Sequence, residues 1–533
     1  MSGRKSVKLK LSKKSQEKSS KNAKDLEGID PKTYSRRWWI LSALCVTLLG
    51  VMLANSSLNL ALPAMAKDLS LSQLQLTWIV NIYTLLFASL LFVAGAIGDR
   101  YGRKIAMQIG LAIFISGTLC AGFVATTGTE LIIARAIMGI GGAFVMPTTL
   151  SILNNTFPRK ERPRAVAIWS AIAGVGMMFG SIISGILLEH FSWNSLFLFS
   201  AIVGMIALAT NQYLAHESHD EAETPVDWLG GLLSMATIFG IVYGVTEIPG
   251  KGISDTAVLA SLIGGGIALI LFVLWELRTK NPMLDMKLFK NRNFAVSSLV
   301  LTLTFLAMSG VLYSLSQLMQ LVVGYSALES SLRMIPLMLP MLFVGPIVPA
   351  IVKKFGARVV ISVGLIFTSI GFFMMSFWMK DLTYFQMFCT MLVMILGIAL
   401  AMTPGTNILM SSVPRNRSGM GSAMNDTTRQ LGASLGVAIL GAILSSTYAN
   451  QIHDTAIKFG DKIAEGLESS LAVAVEISSH LGVTAESVIS AAKDAFMSGV
   501  NQAAIAGAII IFVAAAIAFV GISKHSDKSD ETI

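Results

Sequence analysis

Chemistry in this chain has to come from a few charged residues set in a largely apolar sequence. The densest group is Gly95-Ala-Ile-Gly-Asp99-Arg100-Tyr-Gly102-Arg103-Lys104, an acid and three bases in a turn between two apolar runs. A carboxylate at such a turn, Asp99, suits the N-terminus of a neighbouring helix, whose unpaired N–H groups carry partial positive charge. Gly95 and Gly102 permit close approach and a sharp reversal. Bases alone would set topology, but topology requires neither the acid nor the glycines, so the turn reads as a conformational latch. Arg135 lies within another apolar run with no acid on its own segment. Asp426 and Arg429 stand three residues apart in Ala423-Met-Asn-Asp-Thr-Thr-Arg-Gln430, close enough to meet on a helix. Ionisable groups inside membrane segments are costly and are functional candidates by default. Asp426 is the candidate proton carrier: loss of water favours a neutral carboxyl group, and a nearby arginine favours the charged one. Arg429 and Arg135 would tune it. A static Asp426–Arg429 pair is the plainer alternative. Glu247, near the end of its run, reads as solvent-exposed.

The elements that must position these groups are membrane helices. Of the 533 residues, 54% are hydrophobic and only 13% charged, too little charge to cover a soluble protein of this size. The chain is expected to be an all-α integral membrane protein. The net charge of +9 does not point to nucleic acid, because residues 1–37 hold twelve bases against four acids and so carry +8 of it. That segment reads as a disordered cytoplasmic tail that fixes orientation or touches anionic lipid. It is too long for a signal-peptide n-region. Cys45, Cys120 and Cys389 sit in apolar runs without metal spacing and read as packing residues. No phosphate loop and no HExxH, GxSxG or CxxC arrangement suggests an ATP motor or an enzyme. No cofactor or metal is expected.

Fourteen apolar runs are long enough to span: 39–61, 76–97, 105–125, 130–152, 165–188, 196–214, 228–247, 257–275, 294–316, 330–352, 358–378, 384–410, 420–446 and 500–522. Basic residues recur in every second loop, which places both termini in the cytoplasm. The exception is 215–227, which is acidic. The stretch 447–499 is too polar to span and reads as amphipathic helices on the outer surface or over the mouth, or as a solvated loop. Gly345-Pro346 followed by Lys353-Lys354-Phe355-Gly356-Ala357-Arg358 repeats the opening turn without its Asp. Equivalent turns imply duplicated six-helix units: 38–214 and 294–523, with an inserted helix pair and linkers at 215–293 and a short tail at 524–533.

The turn resembles the signature of the major facilitator superfamily, G-x-x-x-D-R-x-G-R-K, at all of its named positions. Arg135-Ala-Ile-Met-Gly139-Ile-Gly141-Gly142 is similar to that superfamily's fourth-helix motif. Gly176-Met-Met-Phe-Gly180-Ser181-Ile-Ile-Ser184-Gly185 is similar to its antiporter motif, with Ser181 and Ser184 at positions usually Pro and Gly. With fourteen spans, the chain resembles the drug:proton antiporter branch that exports quaternary ammonium compounds and other drugs. The resemblance implies the major facilitator fold, two six-helix bundles plus the inserted pair, and makes the start of span thirteen, near Ser418-Gly419, the partner of Asp99. It also exposes a departure. Where the branch has an acid in span one, this chain has Ala54, followed by Asn55, Ser56 and Asn59-Leu-Ala-Leu-Pro63.

Together these features imply a proton-driven exporter of small amphiphilic compounds in the plasma membrane, working as a monomer by alternating access. Protons, substrate and membrane lipids are the expected partners. Asn55, Asn59, Asn81, Tyr83, Gln317 and Gln320 are candidate cavity residues, with Trp78 more plausibly an interfacial anchor. A lipid or metabolite exporter of the same fold is the second reading, favoured by Ala54. A membrane scaffold or sensor that has lost transport is the third.

Overall fold

The structure is a computed structural model that describes residues 29–158, 161–218, 226–280, 282–345, 347–413, 418–478 and 485–523. The expectations placed on 1–28, 524–533, most of the acidic stretch 215–227, and the basic residues Arg159, Lys160, Arg415 and Arg417 lie outside the described residues. What is described is helical, without a strand. Twelve of these helices are long and apolar enough to cross a membrane.

The first bundle comprises α1 (Pro31–Asp68), α2 (Gln73–Tyr101), α3 (Arg103–Leu119), α4 (Gly128–Thr156), α5 (Arg162–His190) and α6 (Asn194–Leu214). Local chemistry sets their starts. Asp30 accepts the Lys32 and Thr33 N–H groups ahead of α1, with Pro31 at its first position. Ser72 with Gln75 and Thr127 with Glu130 form reciprocal capping boxes at α2 and α4. The inserted pair is α7 (Trp228–Lys251) and α8 (Thr256–Arg278). The second bundle contains α9 (Arg292–Gln317), α10 (Ala327–Val344), α11 (Val348–Phe355), α12 (Ala357–Met375), α13 (Tyr384–Ser411), α14 (Ser418–Ala456) and α17 (Ala485–Gly521). Short helices α15 (Asp461–Ser469) and α16 (Leu471–Ser478) precede α17.

Expected span 330–352 is divided into α10 and α11, with the sequence's Gly345-Pro346 between them, a pair that lacks one N–H donor and favours a break. The repeat has a backbone counterpart. Gly102 (φ +118°) and Gly356 (φ +79°) each end one helix and begin the next in the region that favours glycine.

The bundles meet where α2 packs on α14, α5 on α10 and α1 on α9. Helix α7 lies against both α2 and α14, so the inserted pair straddles the seam between bundles. Its contact is apolar: Ile238 and Val242 join Trp78, Ile82, Leu85 and Ala438 in one cluster. Helix α8 is largely exposed, as a lipid-facing helix must be.

The described parts of 447–499, residues 447–478 and 485–499, are neither a solvated loop nor a pair of helices lying on the surface. At about 1.5 Å per residue the 39 residues of α14 extend roughly 58 Å, against a hydrocarbon core of about 30 Å. The excess of α14 and α17 projects from the outer end, the end opposite the basic loops, and carries α15 and α16 between them. Ser470 Oγ donates to Leu71 O (2.9 Å), Tyr448 OH to Leu467 O (2.8 Å) and Lys493 Nζ to Val322 O (2.9 Å). These bonds, with buried Leu471, Ala472 and Ala474, seat a cap on the outer ends of the helices.

Candidate functional site

The signature turn is held from two sides. Arg103 Nε donates to Asp99 Oδ1 at 2.8 Å, and Ser151 Oγ of α4 donates to the same oxygen at 3.4 Å. The described partners of Asp99 therefore belong to its own bundle. The side chains of Ser418 and Met420, at the start of α14, lie outside the described residues. The second hold comes from the acidic stretch. Glu217 accepts the backbone N–H groups of Lys104 (3.0 Å) and Ile105 (3.1 Å), and Ser218 O accepts that of Arg103 (2.9 Å). Lys104 Nζ donates to Gln212 O at 2.8 Å. The first N–H groups of a helix have no partner within it, and a carboxylate there also meets the positive end of the helix dipole. The acidic break in the positive-inside pattern thus has a local use. Gly102 leaves room for it, since a Cβ there would sit 2.8 Å from Glu217 Oε1. Gly95 packs on Pro147 of α4, and Arg100 lies over the ring of Tyr101.

Arg135 is fully buried in α4. Its Nε donates to Ile79 O at 3.1 Å, and its guanidinium carbon lies 4.3 Å from the centre of the Tyr83 ring. Both terminal nitrogens are buried without a hydrogen-bond partner. A buried cation over a ring gains about 2 kcal/mol, less than the several kcal/mol that losing its hydration costs. Gly139 and Gly142 allow α2 to approach: a Cβ on Gly139 would meet Tyr83 O, and one on Gly142 the Tyr83 hydroxyl. Tyr83, expected to line a cavity, is instead the buried plate beneath Arg135.

Asp426 and Arg429 do not form an ion pair. Asp426 is half-buried, with Asn425 Nδ2 at 3.4 Å from its Oδ1. Arg429 is turned to Thr406 Oγ1 of α13 (3.4 Å) and to the Phe305 ring of α9, and its Nε is buried without a partner. Asn425 Oδ1 and Thr427 Oγ1 are also unpartnered. Unsatisfied polar atoms are uncommon in protein interiors, and here they cluster on the first turns of α14.

Along α5 the small residues face different helices. Gly176 and Gly180 lie against Leu49, Met52 and Leu53 of α1. Ser184 Oγ donates to Gly180 O at 2.5 Å, Ser181 also has a partner, and Gly185 lies against Leu328 and Ser331 of α10. The seam therefore joins α1 within the bundle and α10 across the bundles.

Most of the remaining candidate cavity residues close the outer side. Tyr313 OH accepts from Gln73 Nε2 (2.9 Å), pairs with Thr77 Oγ1 (2.9 Å) and reaches Gln73 O (3.3 Å). Asn59 O accepts from Ser316 Oγ, and Leu60 O accepts from Gln320 Nε2 at 2.9 Å. Asn81 is fully buried, accepting from Ser434 Oγ of α14 at 2.6 Å and donating to Thr246 Oγ1 of α7 at 3.3 Å. Gln317 is buried and bonds along its own helix. Asn55 is half-buried, and Asn59 Oδ1 has no partner. Ala54 lines a small cavity of about 10 Å³ between α1 and α6, with Ser57 and Ser200, just enough for one water.

Two more expectations are corrected. Glu247 is buried, not solvent-exposed: it accepts Trp78 Nε1 at 2.6 Å and pairs with Lys251 at 3.1 Å. Trp78 is accordingly not an interfacial anchor but a buried donor between α2 and α7. Tyr313 was missed altogether, because a lone Tyr in an apolar run carries no sign of a partner 240 residues away. Glu217 had a signal, the acidic break.

This arrangement of two bundles, an interbundle seam and a strapped turn can be set beside known proteins. Residues 44–437 match the profile of the Major Facilitator Superfamily. The chain belongs to the major facilitator superfamily. It is 33% identical over 487 residues to the multidrug efflux pump LfrA of Mycolicibacterium smegmatis, covering 91% of this chain and 96% of that one. It is 29% identical to the methyl viologen resistance protein SmvA of Salmonella typhimurium, covering 91% and 98%. The tetracenomycin C resistance and export protein of Streptomyces glaucescens is 27% identical over 509 residues, covering 93% and 94%. Among solved structures, a bacterial homologue of the human lysosomal transporter Spinster, inward-facing and unoccupied, superposes with a TM-score of 0.63 at 18% identity, covering 93% of this chain and 98% of that one. The superfamily member described here is thus a multi-pass membrane transporter of small molecules.

Proposed function

We propose that this superfamily member is a multidrug exporter that moves small amphiphilic compounds outward in exchange for protons. The observation that carries the reading is Asp426, a half-buried carboxylate on the helix at the bundle seam, with Arg429 nearby but turned away. A carboxyl group so placed exchanges a proton without first breaking an ion pair. Arg135 holds unsatisfied donors inside the first bundle, and Asp99 with its turn fixes the cytoplasmic end. Loading Asp426 loosens the packing of α14 on α2, so that the two bundles rock about a site at mid-membrane. A proton driven by 100 mV supplies about 2.3 kcal/mol, enough for tens-fold accumulation. The protein acts as a monomer in the plasma membrane with both termini cytoplasmic; the alternating basic loops support that orientation. The relatives named above for multidrug efflux and resistance support the substrate class.

The test is flux in proteoliposomes under an imposed proton gradient. Asp426→Asn is expected to lower gradient-driven export at least tenfold while leaving substrate binding within a few-fold. Export equal to wild type would overturn the proton role. Ala54 favours a second reading: with a methyl group on a one-water cavity in place of an acid, the middle of α1 offers no charge to a cationic drug, and neutral lipids or metabolites become the cargo. Comparing export of a cationic dye with that of a neutral lipid of matched size separates the two.

A further inference from the structure

Outside both bundles, at the inner end of the inserted pair, a half-buried carboxylate and a buried one approach each other. Asp227 precedes α7, and one of its oxygens accepts the Gly230 N–H and Trp275 Nε1, both at 2.8 Å. Its other oxygen, Oδ2, is buried with no partner. Glu276 on α8 is 3% exposed; its Oε2 accepts the Leu284 N–H at 3.2 Å, and its Oε1 is buried with no partner. These two unpartnered oxygens point at the same spot. A Cβ on Gly230 would be 2.6 Å from Asp227 Oδ2 and 2.6 Å from Glu276 Oε1, so the oxygens are no more than 5.2 Å apart. A third carboxylate, Asp285, adds its field at Glu276. The basic residues of this turn, Arg278, Lys280, Lys287 and Lys290, are exposed, and none of them pairs with Asp227 or Glu276. Lys280 shares only the open cavity beside Asp227. Phe272, one turn before Glu276, and Leu284, whose N–H it accepts, belong to an apolar cluster that also holds Phe92, Leu233, Phe294, Leu409 and Met424.

Two ionised carboxylates this close, each with one oxygen that meets no cation or donor among the described residues, repel strongly, and one bound proton removes both the repulsion and an unsatisfied oxygen. We propose that Asp227 and Glu276 form a carboxyl–carboxylate pair that holds one proton at neutral pH and staples the inner end of the inserted helix pair. The proton moves from water to one carboxylate oxygen and is shared with the other; no other bond changes. The staple sits on α7, which also rests on α2 and α14, so cytoplasmic alkalinity that removes this proton loosens a brace across the bundle seam.

The test uses the purified full chain, in wild-type form and with Asp426→Asn, Asp426→Asn/Glu276→Gln and Glu276→Gln. Infrared difference spectroscopy on raising the pH should show loss of a protonated-carboxyl band in Asp426→Asn, and no such band in the double variant. This arm does not depend on whether Asp426 carries the transported proton. Gln at 276 keeps an acceptor for Leu284 and offers Asp227 an N–H, so the variant should fold. Thermal unfolding gives the second readout. A native state holding one more proton than the unfolded chain loses stability as pH rises, tenfold in the unfolding constant per pH unit until the proton leaves. Glu276→Gln is expected to flatten that slope. Two results would overturn the proposal: a band that survives in Asp426→Asn/Glu276→Gln, or identical pH slopes in wild type and Glu276→Gln. A slope that appears only when sodium or potassium replaces a bulky organic cation would assign the pair to a metal cation instead.

Discussion

The outer closure can be weakened by deleting one atom. Tyr313→Phe removes the hydroxyl that meets Gln73 Nε2, Thr77 Oγ1 and Gln73 O, contacts of 2.9, 2.9 and 3.3 Å that all cross from the second bundle to the first. The ring is fully buried and stays so in Phe, leaving packing nearly unchanged. Thr77 Oγ1 keeps its bond to Gln73 O at 2.9 Å. Gln73 Nε2 is left buried without an acceptor, which costs about 1–3 kcal/mol. The cost falls only on the state in which the outer ends touch, because an opened seam hydrates both groups. The equilibrium between outer-closed and outer-open forms should therefore shift by about 5- to 150-fold toward open. The assay is electron–electron distance measurement between spin labels on Ser192 and Asp381, two exposed outer positions on different bundles, with the three native cysteines replaced. The variant should show a longer-distance population that wild type lacks. A distribution unchanged from wild type, in protein that melts within a degree or two of it, would refute the hydroxyl as a closure bond.

Three further outcomes follow from the same geometry. Arg135→Met should raise melting stability, by about 1–4 kcal/mol as buried charges replaced by apolar groups often do, while abolishing export; thermal shift and flux on one preparation check both. Gly102→Ala should destabilise by at least about 1–2 kcal/mol from its left-handed backbone, and Glu217→Ala added to it should restore only the part due to the Cβ–carboxylate clash, as measured by denaturation of the two variants. Gly185→Ala places a Cβ 2.8 Å from Leu328 Cα of the opposite bundle, so export should fall more than tenfold with little loss of folded protein, whereas Gly180→Ala, whose Cβ meets α1 of its own bundle, should show its effect in thermal stability.

The helices were legible because a bilayer imposes a length and a composition on each of them. The expected spans fall on helices, except that 330–352 is split between α10 and α11, and the capping residues Asp30, Ser72, Thr127 and Thr383 sit at helix starts where their short polar side chains fit. The helix ends beyond the membrane were less legible. Residues 447–456 and 485–499 are helical because they continue spans and pack under a cap, not because their own polarity pattern demands it. Burial of single polar residues was the least legible. Glu247 looked exposed because its own helix offers only Lys251; its other partner, Trp78, is 169 residues away.

The sequence alone determined the membrane class, the order of spans, the duplicated turn and the ionisable residues set within the spans. It could do so because hydropathy, charge bias and the spacing of Gly, Asp and Arg are local properties of the chain. Tertiary structure decided what each of those residues meets. Asp99 is shared between Arg103 and Ser151, Arg429 turns from Asp426 toward Thr406, and Tyr83 lies under Arg135. Asp227 and Glu276 converge on Gly230. Those outcomes depend on which helices are neighbours and how they are rotated, and both are set by the packing of residues tens to hundreds of positions apart.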